Sequence, residues 1–372
     1  MRFNSSEIHS TAPETLRDLK LLENPSSVHK LRMKFERLAS ENGDNGNKSE
    51  NNVNRNEMNK EFKISNYCNK IRLLVNELVE TEEIFVNRMK LYVDSFSSPN
   101  FLEQFNSCKC IMDTITVLEK VYVFHRGTLL PELQASSTDI DKFAKVFLRL
   151  INENYFYCHI EYNLHEFRIL RSCKNLQYFF DECRKVIKDQ LGFESLLLEP
   201  TQRLPRYEML LEKMLQEMMK QRLHMSEVQK VVVTLSMTFE AVKNLNRVVN
   251  GSLNLFNIDN VHILEPWIWQ HGKFIDLDQF DMQDTNEGKL FKGYVFLFEK
   301  CILYTEAKTT KGDSLLYYKG YLDMNHVSVV LDSSHHTLTI GLLFGILSLK
   351  IYGRSSIIIK WEKLISDILN TP

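Results

Sequence analysis

Charged and amide side chains recur on one side of a predicted helix in residues 196–215, which read LLLEPTQRLPRYEMLLEKML. The apolar residues of this stretch, continuing to 218, recur at steps of three and four, which predicts an α-helix with one buried stripe. The stripe consists of Leu204, Tyr207, Leu211, Met214 and Met218. The opposite, polar face carries Gln202, Arg203, Arg206, Glu208, Glu212 and Lys213. Such side chains bind a partner through ion pairs and hydrogen bonds, although the pattern alone is more typical of a core helix with a solvated outer face.

Two prolines lie within this predicted helix. Pro200 suits a first helical turn, where its missing N–H is not needed. Pro205 lies deeper and removes one backbone hydrogen bond. We therefore expect the helix either to begin at Pro200 or to be bent at Pro205.

No group of residues predicts covalent catalysis. The motifs G-x-x-x-x-G-K, G-x-G-x-x-G and G-x-S-x-G do not occur, which argues against a kinase or a hydrolase. The seven cysteines show neither a C-x-x-C pair nor a zinc spacing, so we interpret them as reduced thiols. His159 and His165 are interpreted as side chains at the edge of a core rather than as ligands. We predict no metal, no cofactor and no covalent reaction.

A second stretch places charged residues within a helical pattern. Residues 76–93 read NELVETEEIFVNRMKLYV, and the apolar residues from Ile71 to Val93 mark one long helix without proline or glycine. This string resembles the first conserved region of Dbl-homology domains, E-L-x-x-T-E-x-x-[YF]-V. The pattern P-x-Q-R-L-x-R-Y from Pro200 onwards, with the Leu-rich run after it, resembles the third conserved region of the same family. Two motifs in the family's order make the resemblance specific.

The resemblance implies a function. Dbl-homology domains are the catalytic modules of guanine-nucleotide exchange factors for Rho-family GTPases. On this basis Glu77 is expected to contact switch I of the GTPase, and Arg206 is expected to contact switch II. An asparagine of the last long helix is expected to bond to the switch II backbone; Asn246 fits best and Asn250 is the alternative. The other positions expected to face the GTPase are Ser195, Leu198 and Gln202.

The sequence departs from the family pattern at Glu199, where many relatives have Lys. Pro205 before Arg206 occurs in exchangers similar to the faciogenital-dysplasia type, which favours a cell-division-control-type GTPase, and Leu198 is compatible with that choice. A second class of function stays open, namely a non-catalytic scaffold that binds a signalling partner. The presence of Glu77, Arg206 and a usable asparagine favours exchange over this alternative.

Helical patterns surround both motifs and predict an all-helical bundle over residues 62–250. Gly127 and Pro131 frame a predicted bend, and Gly251 is a suitable end for the last helix. Residues 1–40 contain a predicted helix pair, and the Asn-rich residues 41–60 are predicted to be disordered. We predict a largely disordered N-terminal extension over 1–60, a Dbl-homology domain over 61–252 and a second domain over 253–372.

The second domain changes to the period of β-strands. Short apolar strands with close turns, followed by an apolar helix over 357–369 that contains Trp361, predict a small β-barrel with a closing helix. This pattern resembles a pleckstrin-homology domain, which in the Dbl family follows the helical domain directly. The predicted fold class is therefore multidomain, α then β: an elongated helical bundle followed by a small barrel capped by a C-terminal helix.

The same domain offers weak candidates for phosphoinositide binding. They are Lys273, Lys289 and Lys292. An acidic stretch separates the first from the others, and the basic K-x-R pattern of tight binders is missing. We expect weak or non-specific contact with a membrane.

Bulk properties limit the other partners. The net charge of −2 gives no general attraction to nucleic acid. The N-terminus lacks the apolar core of a signal peptide, and no apolar run is long enough to cross a bilayer. We expect a cytoplasmic protein that is recruited to membrane or actin structures, and whose partner is a Rho-family small GTPase.

Overall fold

The structure, a computed structural model, describes residues 69–96, 99, 103, 109–172, 174–188, 193–220, 226–259, 270–284, 288–310, 313–332, 334, 336–343 and 348–370. The predicted helix pair in 1–40 and the predicted disorder of 41–60 lie outside these residues. In the part that is described, no helix combines the length and the apolar character needed to cross a bilayer.

A helical bundle forms the first half of the described chain. Its helices are α1 (Asn69–Phe96), α2 (Lys109–Phe124), α3 (Leu130–Ser136), α4 (Ile140–Asn152), α5 (Tyr157–Ser172), α6 (Lys174–Ile187), α7 (Phe193–Lys220) and α8 (Ser226–Ser252). Their apolar stripes pack into one core, as the helical periods predict. A 3-10 helix, Leu253–Asn257, follows α8.

The chain passes from α2 to α3 through a π-helical turn, His125–Leu129, rather than through a break. Pro131 has no N–H to donate to the carbonyl group of Gly127, so the regular α-helical hydrogen bond is not available there. The first residue of the turn, His125, is fully buried. The predicted bend is thus a wider helical turn that carries a polar side chain in the core.

Helix α7 begins before both of its prolines, which lie inside Phe193–Lys220, so the first of the two alternatives, a start at Pro200, is excluded. The carbonyl oxygens of Leu197 and Pro200 accept hydrogen bonds from the Tyr162 hydroxyl, at 2.7 Å, and from His159 Nδ1, at 3.1 Å. Side chains of α5 therefore stabilise the half of α7 in which proline has removed backbone donors.

Seven strands in the described part of the chain form one antiparallel sheet in the order β4-β3-β2-β1-β7-β6-β5. They are β1 (Phe274–Asp284), β2 (Leu290–Phe298), β3 (Cys301–Thr310), β4 (Asp313–Asp323), β5 (Val327–Asp332), β6 (Thr337–Leu342) and β7 (Ser348–Tyr352). Helix α9 (Ser355–Leu369) closes the domain and buries Ile358, Trp361 and Ile365 against the inner face of the sheet. The predicted order, a helical bundle followed by a β-structured domain with a closing helix, is confirmed. Instead of a closed barrel, the described strands form one sheet in which the edge strands β4 and β5 are not paired with each other.

Strand β2 is buried on both of its faces. Val295 and Leu297 belong to the core inside the sheet, whereas Phe296 and Phe298 belong to the same buried cluster as the helical bundle. This explains the continuous apolar run of β2, because a strand alternates apolar and polar residues only when one face meets water. The bundle and the outer face of the sheet therefore share one core.

Replacing Phe296 with Ala should lower the free energy of unfolding by about 3–5 kcal/mol, because a fully buried aromatic ring is removed from this shared core. Urea unfolding followed by circular dichroism measures the change. In the control, Val330→Thr alters a side chain that is 63% exposed on β5 and should change the free energy by less than about 0.5 kcal/mol. Similar effects of the two substitutions would contradict a shared core.

Candidate functional site

Helices α1 and α7 lie side by side and run antiparallel. Glu77 of α1 lies near Arg206 of α7, and Arg88, further along α1, pairs with Glu199, which comes earlier on α7. Residue numbers thus rise along one helix as they fall along the other. The two motifs found in the sequence form neighbouring parts of one surface, although 121 residues separate two of their charged partners.

The outer part of this surface is accessible. The side chains of Glu77 and Arg206 are 44% and 46% exposed, and Oε1 of the first lies 3.9 Å from Nη2 of the second. An exposed ion pair of this kind is worth about 0–1 kcal/mol, so the two side chains can separate at little cost. Leu198 and Gln202 are also exposed on α7. The surface offers one acidic, one basic, one amide and one apolar group.

Ser195 and Glu199 lie at the other end of the same seam and are partly buried. Arg88 Nη1 lies 3.3 Å from Ser195 Oγ and also pairs with the Glu199 carboxylate. The acidic residue at 199 thus has a basic partner on α1. No local pattern predicted the role of Arg88, because its partners lie 107 and 111 residues away.

The asparagines of α8 lie next to this surface and are not equivalent. Asn246 is only 8% exposed, and its Nδ2 donates to Glu208 Oε2 of α7 at 2.6 Å. Asn250 is exposed, and its Nδ2 donates to Asn246 Oδ1 at 3.3 Å. The Asn246 Nδ2 group carries two hydrogens, of which Glu208 accepts one, and the burial of the residue limits the contact of the other with a second protein.

Beneath the exposed pair lies a buried ion pair between Glu82 and Arg203. The predicted place of Arg203 on the polar face is wrong: the residue is 5% exposed, and its Nη2 lies 2.6 Å from Glu82 Oε2. The hydroxyl of Tyr207 donates to the same carboxylate, which is completely buried. The helical period of the apolar residues could have predicted this burial. Glu82 lies four residues after Leu78, and Arg203 lies four residues before Tyr207, so each of the two charged residues falls on an apolar stripe.

Two histidines extend the buried ion pair. His125 Nδ1 lies 2.5 Å from Glu82 Oε1, and His125 Nε2 lies 2.9 Å from His159 Nε2. His159 Nδ1 lies 3.1 Å from the carbonyl oxygen of Pro200. A carbonyl oxygen only accepts, so Nδ1 of His159 carries a proton and donates. His159 is fully buried rather than at the edge of the core.

The protonation states follow from these contacts. Burial, and then the charge of His125, lower the pKa of His159 to about 3, which leaves the ring neutral. Burial alone would raise the pKa of Glu82, but the charges of His125 and Arg203 and the hydrogen bonds outweigh it, and that pKa is lowered to about 2. Neutral His159, whose ring proton is on Nδ1, therefore accepts at Nε2 from His125.

This buried network joins α1, the π-helical turn, α5 and α7. Because its hydrogen bonds are directional, it allows one register of α1 against α7. That register brings Glu77 and Arg206 together at the surface. The network is therefore the physical support of the candidate site.

The lysines proposed for phosphoinositide are not brought together. Lys273 precedes β1 and lies over the ring of Tyr157, with Nζ 5.3 Å from the ring centroid. Lys289 and Lys292 lie at the hairpin after β1, whose 11 residues span about 35 Å. The three lysines thus do not form one anion site. Over the residues described, no cluster of three or more His, Cys, Asp or Glu side chains is placed to hold a metal.

Comparison with known proteins identifies two domains in the chain. A RhoGEF domain model matches residues 74–250, and an SOS1/NGEF-like PH domain model matches residues 268–348. The chain combines a RhoGEF domain with a PH domain. Its Dbl-homology (RhoGEF) domain contains the α1–α7 surface and the buried network, and its pleckstrin-homology domain contains the sheet and α9.

Individual relatives are distant. Rho guanine nucleotide exchange factor 25 from Rattus norvegicus is 24% identical over 248 residues, which cover 63% of this chain and 40% of the relative. Guanine nucleotide exchange factor DBS from Rattus norvegicus is 24% identical over 283 residues, which cover 69% of this chain and 23% of the relative. The chain spans less than half the length of these two relatives. A solved structure of the Vav1 exchange factor is 16% identical with a TM-score of 0.40, and the match covers 81% of this chain and 83% of that one.

Two arginines one helical turn apart should differ sharply in their effect on stability. Arg203→Met leaves the Glu82 carboxylate buried without the guanidinium group and should lower the free energy of unfolding by about 3–5 kcal/mol. Arg206→Met removes an exposed charge and should change it by less than about 1 kcal/mol. Urea unfolding of the two variants measures both values. Equal values would contradict the buried position of Arg203.

The buried histidine should make stability depend on pH. In the unfolded chain His159 takes up a proton near the ordinary pKa of 6.5, whereas in the folded chain its pKa is about 3. The unfolded state therefore binds more protons between these values, so the free energy of unfolding should fall on acidification, by up to about 1.4 kcal/mol per pH unit. Below the ordinary pKa of 4.5, Glu82 adds to the same trend, because its folded pKa is about 2.

The variant His159→Gln tests this origin. Glutamine keeps a donor for the Pro200 carbonyl group and an acceptor for His125, but it does not titrate. Urea unfolding measured between pH 6.5 and 4.5, the ordinary values for His and Glu, should give a shallower slope for the variant than for the unaltered chain. Identical slopes would assign the acid sensitivity to other groups.

Proposed function

We propose that this chain accelerates the release of GDP from a Rho-family small GTPase. The observation that carries the proposal is the accessible pair Glu77 and Arg206, held on neighbouring helices by a buried network. An exchange factor must bind the nucleotide-free GTPase more tightly than the nucleotide-bound form. A rigid surface that rearranges the switch segments around the nucleotide has this property.

Each exposed side chain has a role in this proposal. Glu77 binds switch I, and Arg206 binds switch II. Leu198 and Gln202 contact the GTPase beside Arg206, and Leu198 contributes to the choice among GTPases. Ser195 lies at the partly buried end of the same surface. The weak pair between Glu77 and Arg206 opens on binding, since it costs about 0–1 kcal/mol to separate, and each charge then finds a partner on a different switch.

The amide contact with the switch II backbone is assigned to Asn246 and Asn250 together. Asn250 is exposed and meets the GTPase first. Asn246 follows, although in the free chain one of its Nδ2 hydrogens is donated to Glu208 at 2.6 Å. The proposed exchange involves no covalent step.

The finer assignments are also proposals. Pro205 before Arg206 favours a cell-division-control-type GTPase as the substrate. Weak contact with an anionic membrane is assigned to Lys289 and Lys292, because these two share one hairpin and Lys273 lies at the other end of β1. A cytoplasmic location, with recruitment to membrane or actin structures, stays a prediction.

Exchange is tested by the release of a fluorescent GDP analogue from a panel of Rho, Rac and cell-division-control-type GTPases. The chain should accelerate release from at least one member. Glu77→Ala and Arg206→Ala should each slow the accelerated rate about 10-fold or more, because each removes a charge-assisted hydrogen bond to the partner. Both residues are exposed in the free chain, so the variants should fold normally.

The matched control is Glu83→Ala, which removes an exposed charge of α1 that lies on a different side of the helix from Glu77. This variant should exchange at the unaltered rate. A folded chain that binds a GTPase without accelerating release would favour the scaffold alternative. Equal losses in Glu77→Ala and Glu83→Ala would contradict the proposed surface.

A further inference from the structure

A cluster of two carboxylates and two cations lies where α8, β1 and α9 meet. Asp276 and Asp278 of β1 lie between Arg247 of α8 and Lys360 of α9. Arg247 Nη2 is 2.6 Å from Asp276 Oδ1, and Arg247 Nη1 is 3.2 Å from Asp278 Oδ1. Lys360 Nζ is 2.6 Å from Asp276 Oδ2 and 3.1 Å from Asp278 Oδ2.

The cluster is more than a solvated group of surface charges. The Asp276 side chain is only 4% exposed, and its Oδ1 also accepts from the backbone N–H of Leu277 at 2.7 Å. Trp361 Nε1 donates to Asp278 Oδ2 at 2.7 Å. Arg247 also donates to the carbonyl oxygen of Leu277. A buried carboxylate needs such partners, since removal of one leaves its charge without compensation.

The cluster holds α8 close to the proposed amide contact. Arg247 directly follows Asn246 and precedes Asn250 by three residues, within one turn of the helix. A second contact lies one residue beyond Asn250: a Cβ on Gly251 would be 2.6 Å from Leu277 Cδ2, so α8 and β1 approach closely there. Both contacts join the last turns of α8 to the same strand.

We propose that Arg247 is a positioning residue for nucleotide exchange. Held by Asp276 and Asp278, it fixes the last turns of α8 so that Asn246 and Asn250 face switch II. Lys360 acts through the same two carboxylates, so the closing helix of the pleckstrin-homology domain supports the Dbl-homology surface without touching the GTPase. This inference rests on the proposed exchange function.

The test uses the full chain with four single variants: Arg247→Gln, Arg247→Lys, Lys360→Gln and, as a matched control on α9, the exposed Lys363→Gln. Arg247→Gln should slow GDP release about 5-fold or more, and Lys360→Gln about 2- to 3-fold, in the range of coupled neighbouring charges. Arg247→Lys keeps the charge towards Asp276 and should recover most of the rate. Lys363→Gln should exchange at the unaltered rate.

The double variant Arg247→Gln with Lys360→Gln tests whether the two cations act through one cluster. Its loss should be smaller than the product of the two single losses, because both cations bind the same carboxylates. A loss equal to that product would overturn the role of Lys360.

Hydrogen exchange of the free chain separates the possible failures. In Arg247→Gln, amide protection should fall in the last turns of α8 and in β1 but not in α1. Unchanged amide protection in α8 would overturn the inference, whatever the rates of GDP release are. Lost protection with an unaltered rate of GDP release would also overturn it, while leaving the proposed function intact. If the unaltered chain accelerates release from no GTPase, the proposed function fails and the positioning role falls with it.

Discussion

The buried ion pair between Glu82 and Arg203 determines how α1 and α7 fit together. Removing such a pair from water costs free energy that its attraction only partly returns, so a well-packed apolar pair would hold the helices at least as well. The ion pair differs from an apolar pair in that its hydrogen bonds are directional. Its hydrogen bonds, with those of Tyr207 and His125, are satisfied in one register only. That register sets the distance between Glu77 and Arg206, the exposed charges of the proposed GTPase surface.

The fold followed from periods in the sequence, whereas the polar partners did not. The periods of helices and strands are set by residues close together in the sequence. These periods therefore predicted the bundle, the strands and the closing helix. The burial of Glu82 and Arg203 could also have been predicted from the sequence, because each lies on an apolar stripe. The bonds from Asn246 to Glu208 and from Arg88 to Glu199 connect residues 38 and 111 positions apart. No local pattern records such pairs, so the availability of the asparagines could not be read from the sequence.

The departure at Glu199 illustrates how a surface keeps its charge balance. The family resemblance leads one to expect a basic residue at this position, and an acidic residue there changes the electrostatic field around Gln202 and Arg206. In this chain Arg88 of α1 lies against it and neutralises it within the molecule. The Arg88 and Glu199 side chains are only 12% and 26% exposed, whereas Arg206 is an exposed cation on α7. A change at one position of α7 therefore has to be interpreted together with the side chains of α1 that lie against it.

The two buried faces of β2 have a consequence for synthesis. The bundle leaves the ribosome first, and domains generally fold in the order in which they are made. Until β1 to β3 have been made, the apolar surface of the bundle that shares one buried cluster with Phe296 and Phe298 stays in contact with water. The newly synthesised bundle therefore exposes an apolar, aggregation-prone surface for a time. A chain truncated before residue 290 would expose that surface permanently.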